Sequence, residues 1–111
     1  MRARKAARLA VAVIALAACS RSGARQLFTI DLPPGCKIES RSLSSDFEVF
    51  DVLCNGRPAA GVYVGDHPHA GGVVMDTGLE HPSKLQAWPD PLDPDRERAM
   101  HIAASVKLAK S

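Results

Sequence analysis

The sequence predicts a small α+β domain, in which an antiparallel β-sheet carries a C-terminal helix on one face and one disulfide staples the fold. Three observations lead to this prediction. Alternating apolar segments flank the dipeptide Asn55-Gly56, residues 94–107 carry apolar side chains at helical spacing, and Cys36 and Cys54 are available as a pair. An all-β fold with a peripheral helix is the alternative.

Length and charge set the broad class of the protein. The chain has 111 residues, 46% of them hydrophobic and 23% charged, which is typical of one globular domain. Four of its 14 basic residues lie in residues 1–8, and the ten that remain face 12 acidic residues, a net charge of −2. A nucleic-acid-binding role is therefore not expected, because the basic surface that it requires is missing.

The first 20 residues have the pattern of an export signal. Residues 1–8 are basic, and residues 9–18 form an apolar run of ten. A membrane-spanning helix needs about 20 apolar residues, so this run has the length of a signal-peptide core instead. The run ends in Leu16-Ala17-Ala18-Cys19, which resembles the lipobox of bacterial lipoproteins.

The resemblance implies a lipid anchor. Residues 1–18 would be removed as the signal peptide, and Cys19 would carry a diacylglycerol thioether and an acylated amino group. Ser20 implies sorting to the outer membrane, facing the periplasm. Residues 19–25 would then be a flexible lipidated tether and residues 26–111 the domain. The alternative is an ordinary secretory signal with an A-x-A cleavage site at Ala15 and Ala17.

The cysteine count predicts one disulfide. If Cys19 carries lipid, Cys36 and Cys54 remain as a pair in an oxidising compartment. Their disulfide would close a loop of about 19 residues and stabilise the fold by about 3 kcal/mol in the chain-entropy model. Two free thiols are the alternative, but the sequence has no C-x-x-C motif to lower a thiol pKa.

Alternation of apolar and polar residues predicts the strands. Residues 26–32 read as a half-buried strand and residues 36–38 as a short one, followed by a polar turn or loop over residues 40–46. Residues 47–54 have the strongest strand pattern, and residues 73–75 indicate another short strand. Strands followed by a terminal helix indicate the α+β class.

Asn55-Gly56 predicts a type I′ turn between residues 47–54 and 57–64, with Cys54 opposite Arg57 and Phe50 opposite Gly61. The missing N–H of Pro58 would point away from the hairpin partner, which favours a strand that begins at the sheet edge. Such an edge would offer unpaired backbone groups for strand addition. The candidate binding residues are Val62, Tyr63 and Val64.

The C-terminal part is expected to be a loop, an irregular segment and a helix. Residues 65–72 read as a loop, and residues 76–92 as mostly irregular because of their prolines, with Leu85 and Trp88 as anchors on the core. Asp93 is the predicted N-cap of a helix over residues 94–107. Its apolar stripe consists of Ala99, Ile102, Ala103 and Val106.

One loop carries candidate metal ligands. In an extended segment His67 and His69 project from one face, and imidazole pairs of this kind bind Zn²⁺, Cu²⁺ or Ni²⁺. Asp76 or His81 could complete the set. The same loop is also ordinary turn chemistry, which is the favoured interpretation, so no cofactor is predicted.

The sequence offers little for catalysis. Its serines cluster in residues 40–45, outside any Gly-x-Ser-x-Gly turn, and the carboxylates of residues 90–97 read as a solvated linker and helix start. The predicted function is therefore a non-enzymatic envelope lipoprotein that binds an envelope protein or glycan through its sheet edge or the 65–72 loop. A metal-binding module using His67 and His69 and a small periplasmic hydrolase are the alternatives.

Overall fold

A computed structural model of the chain describes residues 23–41 and 46–109. The predicted signal peptide, the lipobox and Cys19 lie outside the described residues, as does part of the loop predicted at residues 40–46. The described elements, in chain order, are a 3₁₀ helix (Ala24–Leu27), β1 (Phe28–Thr29), β2 (Cys36–Ser40), β3 (Glu48–Cys54), β4 (Arg57–Gly65), β5 (Val73–Asp76), β6 (Lys84–Pro89), α1 (Arg96–Ala104) and β7 (Lys107–Leu108).

Antiparallel pairing organises the molecule into two sheets. Five strands form the main sheet in the order β2-β3-β4-β6-β5, and β1 pairs with β7 in a small second sheet. Helix α1 lies against β4 and β6 on one face of the main sheet. Antiparallel sheets with one C-terminal helix are confirmed, and this arrangement fits both the α+β class and the all-β alternative.

The hairpin forms at the predicted turn but changes register after two pairs. Asn55 and Gly56 both have positive φ, and Cys54 lies opposite Arg57, as predicted. Ala59 then has no partner on β3, so the ladder shifts by one residue at this bulge. Phe50 consequently faces Val62 rather than Gly61, and the predicted register beyond the bulge is wrong by one residue.

Most of residues 76–92 lies outside regular structure, as predicted, but the strand β6 that runs through them was not expected. Leu85 and Trp88, predicted as anchors, are part of this strand. The prolines do not interrupt it, since Pro82 precedes the strand and Pro89 is its last residue. Pro89 lies opposite Ala60, and β5 has no residue beside it, so its missing N–H breaks no ladder.

The N-terminal part differs from the predicted strand and tether. Only Phe28–Thr29 of residues 26–32 pairs as a strand, with β7 as its partner. Arg25, placed in the predicted tether, belongs to the 3₁₀ helix. Its guanidinium donates to the carbonyl of Phe28 at 3.1 Å and stacks 4.8 Å from the Phe28 ring centroid, which fixes this segment to the domain.

The helix is shorter than predicted and has a different cap. It spans Arg96–Ala104, and the carboxylate of Asp95 accepts from the backbone N–H of Arg98 at 3.1 Å. Asp93, the predicted N-cap, is buried and accepts instead from the backbone N–H of Asp95 at 3.0 Å. The four residues of the predicted apolar stripe are buried, with Val106 just beyond the helix end.

The core lies between α1 and the face of the sheet that carries Phe50 and Val62. Beside it, the disulfide between Cys36 and Cys54 joins directly opposed residues of β2 and β3, with their Cα atoms 3.9 Å apart. The predicted disulfide is therefore confirmed, and it fastens one margin of the sheet next to the hairpin turn.

Candidate functional site

The strand predicted as a binding edge lies inside the sheet. β4 pairs with β3 on one side and with β6 on the other, so its backbone groups are occupied along most of its length. The candidate residues Val62, Tyr63 and Val64 are buried, and the prediction that they form an exposed edge is wrong. Pro58 does not mark a sheet edge, because β4 pairs with β6 only from Ala60 onward, beyond the proline.

The edges of the described main sheet are β2 and β5, and their chemistry differs. β2 presents Lys37 and Glu39, exposed side chains that form an ion pair at 3.0 Å. Charged side chains on an edge oppose pairing with another strand. β5 presents Val73 and Val74 instead, which are 54% and 45% exposed. β5 also carries Asp76, whose exposed carboxylate pairs with Lys84, so both edges of the described main sheet bear charged side chains.

A loop covers the face of the sheet opposite α1. The side-chain amide of Gln86, which is 1% exposed, donates to the carbonyls of His69 and Gly71 at 2.7 and 2.6 Å. Its oxygen accepts from the backbone N–H of His69 at 3.0 Å, and the Tyr63 hydroxyl accepts from that of His67 at 2.9 Å. The predicted 65–72 loop is thus held against the sheet by two side chains that project from β4 and β6.

Close packing continues along the same face. The Phe47 and Tyr63 rings lie 5.8 Å apart, and the His69 ring lies 5.6 Å from that of Tyr63. Further along, the indole of Trp88 lies directly on the backbone of Gly61, where a Cβ would come 2.7 Å from its Nε1 atom and closer still to two ring carbons. The bulge at Ala59 places the glycine on this face, under the indole.

Asp66 joins the 65–72 loop to the segment that precedes β6. Its carboxylate accepts from the backbone N–H of Ser83 at 2.8 Å and from the Ser83 hydroxyl at 2.9 Å, and it pairs with Nδ1 of His81. Hydrogen bonds to the ionised carboxylate lower the pKa of Asp66 below its ordinary value of 3.8. The bond from the Ser83 N–H is the largest cause, and the one to His81 is the next. The cluster therefore holds two loops together through a carboxylate that stays charged.

The four candidate metal ligands are not brought together. His81 pairs with Asp66, and Asp76 pairs with Lys84. His69 lies against the Tyr63 ring. In the described segments no three His, Cys, Asp or Glu side chains are grouped as metal ligands would be. The geometry therefore gives no support to the metal-binding alternative of His67 and His69.

The Asp66 cluster contains a serine, a histidine and a carboxylate, but not in a catalytic order. In a Ser-His-Asp triad the imidazole stands between the hydroxyl and the carboxylate, so that it can take the proton of the hydroxyl. Here the carboxylate stands in the middle, and the Ser83 hydroxyl donates to Asp66. This arrangement fixes loops rather than activating a nucleophile.

An open cleft of about 250 Å³ lies beside the hairpin turn. Its lining includes Arg57 and Asp90, with Pro58, Pro94 and the almost fully exposed Leu92 around them. The cleft is open to solvent, and Arg57 and Asp90 are ionisable residues of its lining, among prolines and Leu92.

Sequence reasoning missed Gln86 and the role of Asp66. The signal for Gln86 was present, because a glutamine between Leu85 and Ala87 is an unexpected polar residue in an apolar run. A buried amide of this kind must find partners, and the nearby glycine-rich loop offers backbone groups without side chains in the way. The signal was hidden because residues 76–92 were not interpreted as containing a strand.

Comparison of the chain with protein-family models, with curated proteins and with solved structures finds no match. Within the described segments no helix is both long and apolar enough to cross a membrane.

Proposed function

We propose that this chain is a membrane-anchored envelope lipoprotein that acts as a non-enzymatic binding or structural module. The anchor is a lipid on Cys19, and the folded part faces the periplasm from the outer membrane. Its partner is an envelope protein or glycan. The proposal combines the lipobox resemblance with the geometry of the described residues.

One observation carries the proposal. The Cys36–Cys54 disulfide uses two of the three cysteines, which leaves Cys19 as the odd one. That cysteine stands directly after the apolar run, which ends in two alanines, where a lipobox requires it. A disulfide also fits export, because such bonds persist in oxidising compartments. Several acyl chains on one residue are enough for a stable anchor, at about 0.8 kcal/mol for each buried methylene.

The described loops are fixed by contacts within the protein. The histidine loop packs on the sheet through Gln86 and Tyr63, and its polar groups are used for that packing. The Asp66 cluster connects two loops. No specific observation favours a metal-binding module or a hydrolase, so neither is proposed.

The test is a comparison of three full-length chains expressed in a Gram-negative host. The wild type and Ser20→Ala, a neighbouring control, should be found in the membrane fraction, and mass spectrometry should find acyl chains on an N-terminal Cys19. Cys19→Ala should be released from the membranes. Equal membrane retention of Cys19→Ala, or a mature protein that begins at an unmodified Ala18, would overturn the proposal. Density separation of the two membranes then tests the outer-membrane location.

A further inference from the structure

The tether between the proposed anchor and the folded domain is short. Residues 20–22 stand between Cys19 and Gly23, which is the first described residue. The four peptide steps from Cys19 to Gly23 span at most about 14 Å. The headgroup layer on each side of a bilayer is about 5–8 Å thick, so Gly23 can rise above it by less than a helix diameter of about 10–12 Å.

The chain is fixed to the domain from Gly23 onward. The carbonyl of Gly23 accepts from the backbone N–H of Gln26 at 3.2 Å. Ala24 and Leu27 of the 3₁₀ helix pack against the core. The reach of the tether therefore ends at Gly23, and the part of the domain that begins there lies beside the lipid surface when Cys19 carries the anchor.

The core contacts show which end of the main sheet lies beside the lipid. Phe28 packs in the same core cluster as Phe50, whereas Leu32 packs against the cluster that contains Cys54. The segment from residue 28 to residue 32 therefore runs in the direction of the Asn55-Gly56 turn, and its start lies at the opposite end of the sheet from that turn.

The C-terminal segment reaches the same end of the domain. Val106 packs in the core cluster that contains Phe28, and Leu108 lies opposite Phe28 in the β1–β7 sheet. The backbone N–H of Ala109 donates to the carbonyl of Leu27 at 2.9 Å, which fastens this segment to the 3₁₀ helix. The 3₁₀ helix and the β1–β7 sheet together form the end nearest the anchor, which we call the proximal end.

The chemistry of the proximal end is complementary to an anionic lipid surface. β7 presents the exposed Lys107 beside Leu108, which is 38% exposed. A lysine can lay its methylene stem on the headgroup layer with its ammonium among the phosphates, and an adjacent leucine can enter that layer. Residues 19–30 and 99–111 carry four Arg or Lys residues and no Asp or Glu, namely Arg21, Arg25, Lys107 and Lys110. The first acidic residue after the tether, Asp31, is paired with His101 at 2.9 Å.

We propose that the proximal end docks on the phospholipid bilayer that holds the anchor, with Lys107 at anionic headgroups and Leu108 inserted between them. The occupant is the bilayer because the short tether keeps this end within reach of it. The proposal rests on the lipid anchor of the proposed function and adds an orientation to it. The Asn55-Gly56 turn and the cleft that contains Leu92 then face away from the membrane, where a partner can reach them.

The test locates both ends of the mature acylated protein relative to lipid. The protein is reconstituted without detergent in nanodiscs of phosphatidylcholine and phosphatidylglycerol that contain a gadolinium-chelating lipid, and paramagnetic relaxation is measured at backbone amides by NMR. We expect strong relaxation at Leu108 and only background relaxation at Gly56 and Leu92. Lys107→Gln should shift the docking equilibrium about fivefold toward the undocked state and weaken the relaxation at Leu108. Arg57→Gln is the matched control, because it removes the same charge from an exposed residue at the other end and should change nothing.

Two results on acylated protein would overturn the docking and leave the anchor standing. Equal relaxation at Leu108 and Leu92 would show that the domain has no preferred orientation. Relaxation at Leu108 that is the same in Lys107→Gln and in nanodiscs without phosphatidylglycerol would show that the tether alone positions this end. An unacylated Cys19, read by mass spectrometry on the same samples, would instead overturn the proposed function and the docking with it. Circular dichroism and an intact Cys36–Cys54 disulfide show that each variant is folded.

Discussion

A methyl group added at Gly61 should lower the stability of the fold, because it would overlap the indole of Trp88. Nothing in the backbone forbids the substitution, since Gly61 is not among the glycines of positive φ. The obstacle is the ring, because a Cβ would come within 2.7 Å of the indole Nε1 and nearer to two of its carbons. Gly61→Ala therefore requires Trp88 to move away from the face that it covers.

The expected magnitude follows from two opposing effects. Overpacking of a well-filled site costs about 1–3 kcal/mol, whereas replacing glycine by alanine reduces the entropy of the unfolded chain and returns about 0.4–1 kcal/mol. We expect Gly61→Ala to lower the free energy of unfolding by about 1–2 kcal/mol. In a Trp88→Leu background the obstructing ring atoms are gone, and the same substitution should be neutral or stabilising.

The assay is a double-mutant cycle in urea, followed by far-UV circular dichroism, because Trp88 is the only tryptophan and its fluorescence is lost with it. At about 1 kcal/mol per molar urea, Gly61→Ala should shift the midpoint by about 1–2 M in the wild-type background only. Gly23→Ala is the control, since a Cβ there meets no atom within 4 Å. An equal cost of Gly61→Ala in both backgrounds would refute the reasoning.

Two further predictions concern the disulfide and Asp66. The double substitution Cys36→Ala and Cys54→Ala removes the disulfide, which closes a loop of sequence separation 18. Under non-reducing conditions it should lower the free energy of unfolding by about 3 kcal/mol. A loss below about 1 kcal/mol would contradict the chain-entropy reasoning. Because the folded-state pKa of Asp66 is lowered, its contribution is present above the unfolded pKa and is lost as the pH falls through the folded value, below 3.8. Acid unfolding of Asp66→Asn should therefore depend less on pH in that range, and an unchanged acid profile would show that the cluster contributes nothing.

The features that sequence predicted are those set by few, local residues. Asn55-Gly56 has the backbone preference of a type I′ turn, and residues 47–54 have the strand pattern that β3 confirms. The two cysteines form a pair across neighbouring strands. The apolar stripe of α1 is buried as its spacing requires, although the cap lies at Asp95, two residues beyond the expected one.

The features that sequence missed depend on pairing between distant segments. The missing N–H of Pro58 fits an edge strand, but it equally fits a central strand whose second partner begins beyond the proline. The prolines of residues 76–92 lower the strand preference of that segment, while β6 itself contains none before its last residue. The apolar pattern of residues 57–64 gives no information on whether a distant strand such as β6 pairs with them.

The bulge at Ala59 shifts the register by one residue, so the later residues of β4 lie on the opposite face from the one predicted. Because one residue is unpaired, Gly61 and Tyr63 lie on the face away from α1. There the Trp88 indole packs on Gly61, and the Tyr63 hydroxyl accepts a hydrogen bond from the N–H of His67. β6 and the 65–72 loop are therefore held beside and over β4, and the strand that was expected to bind a partner is enclosed. The strand at that edge of the main sheet is β5, which carries the exposed Val73 and Val74.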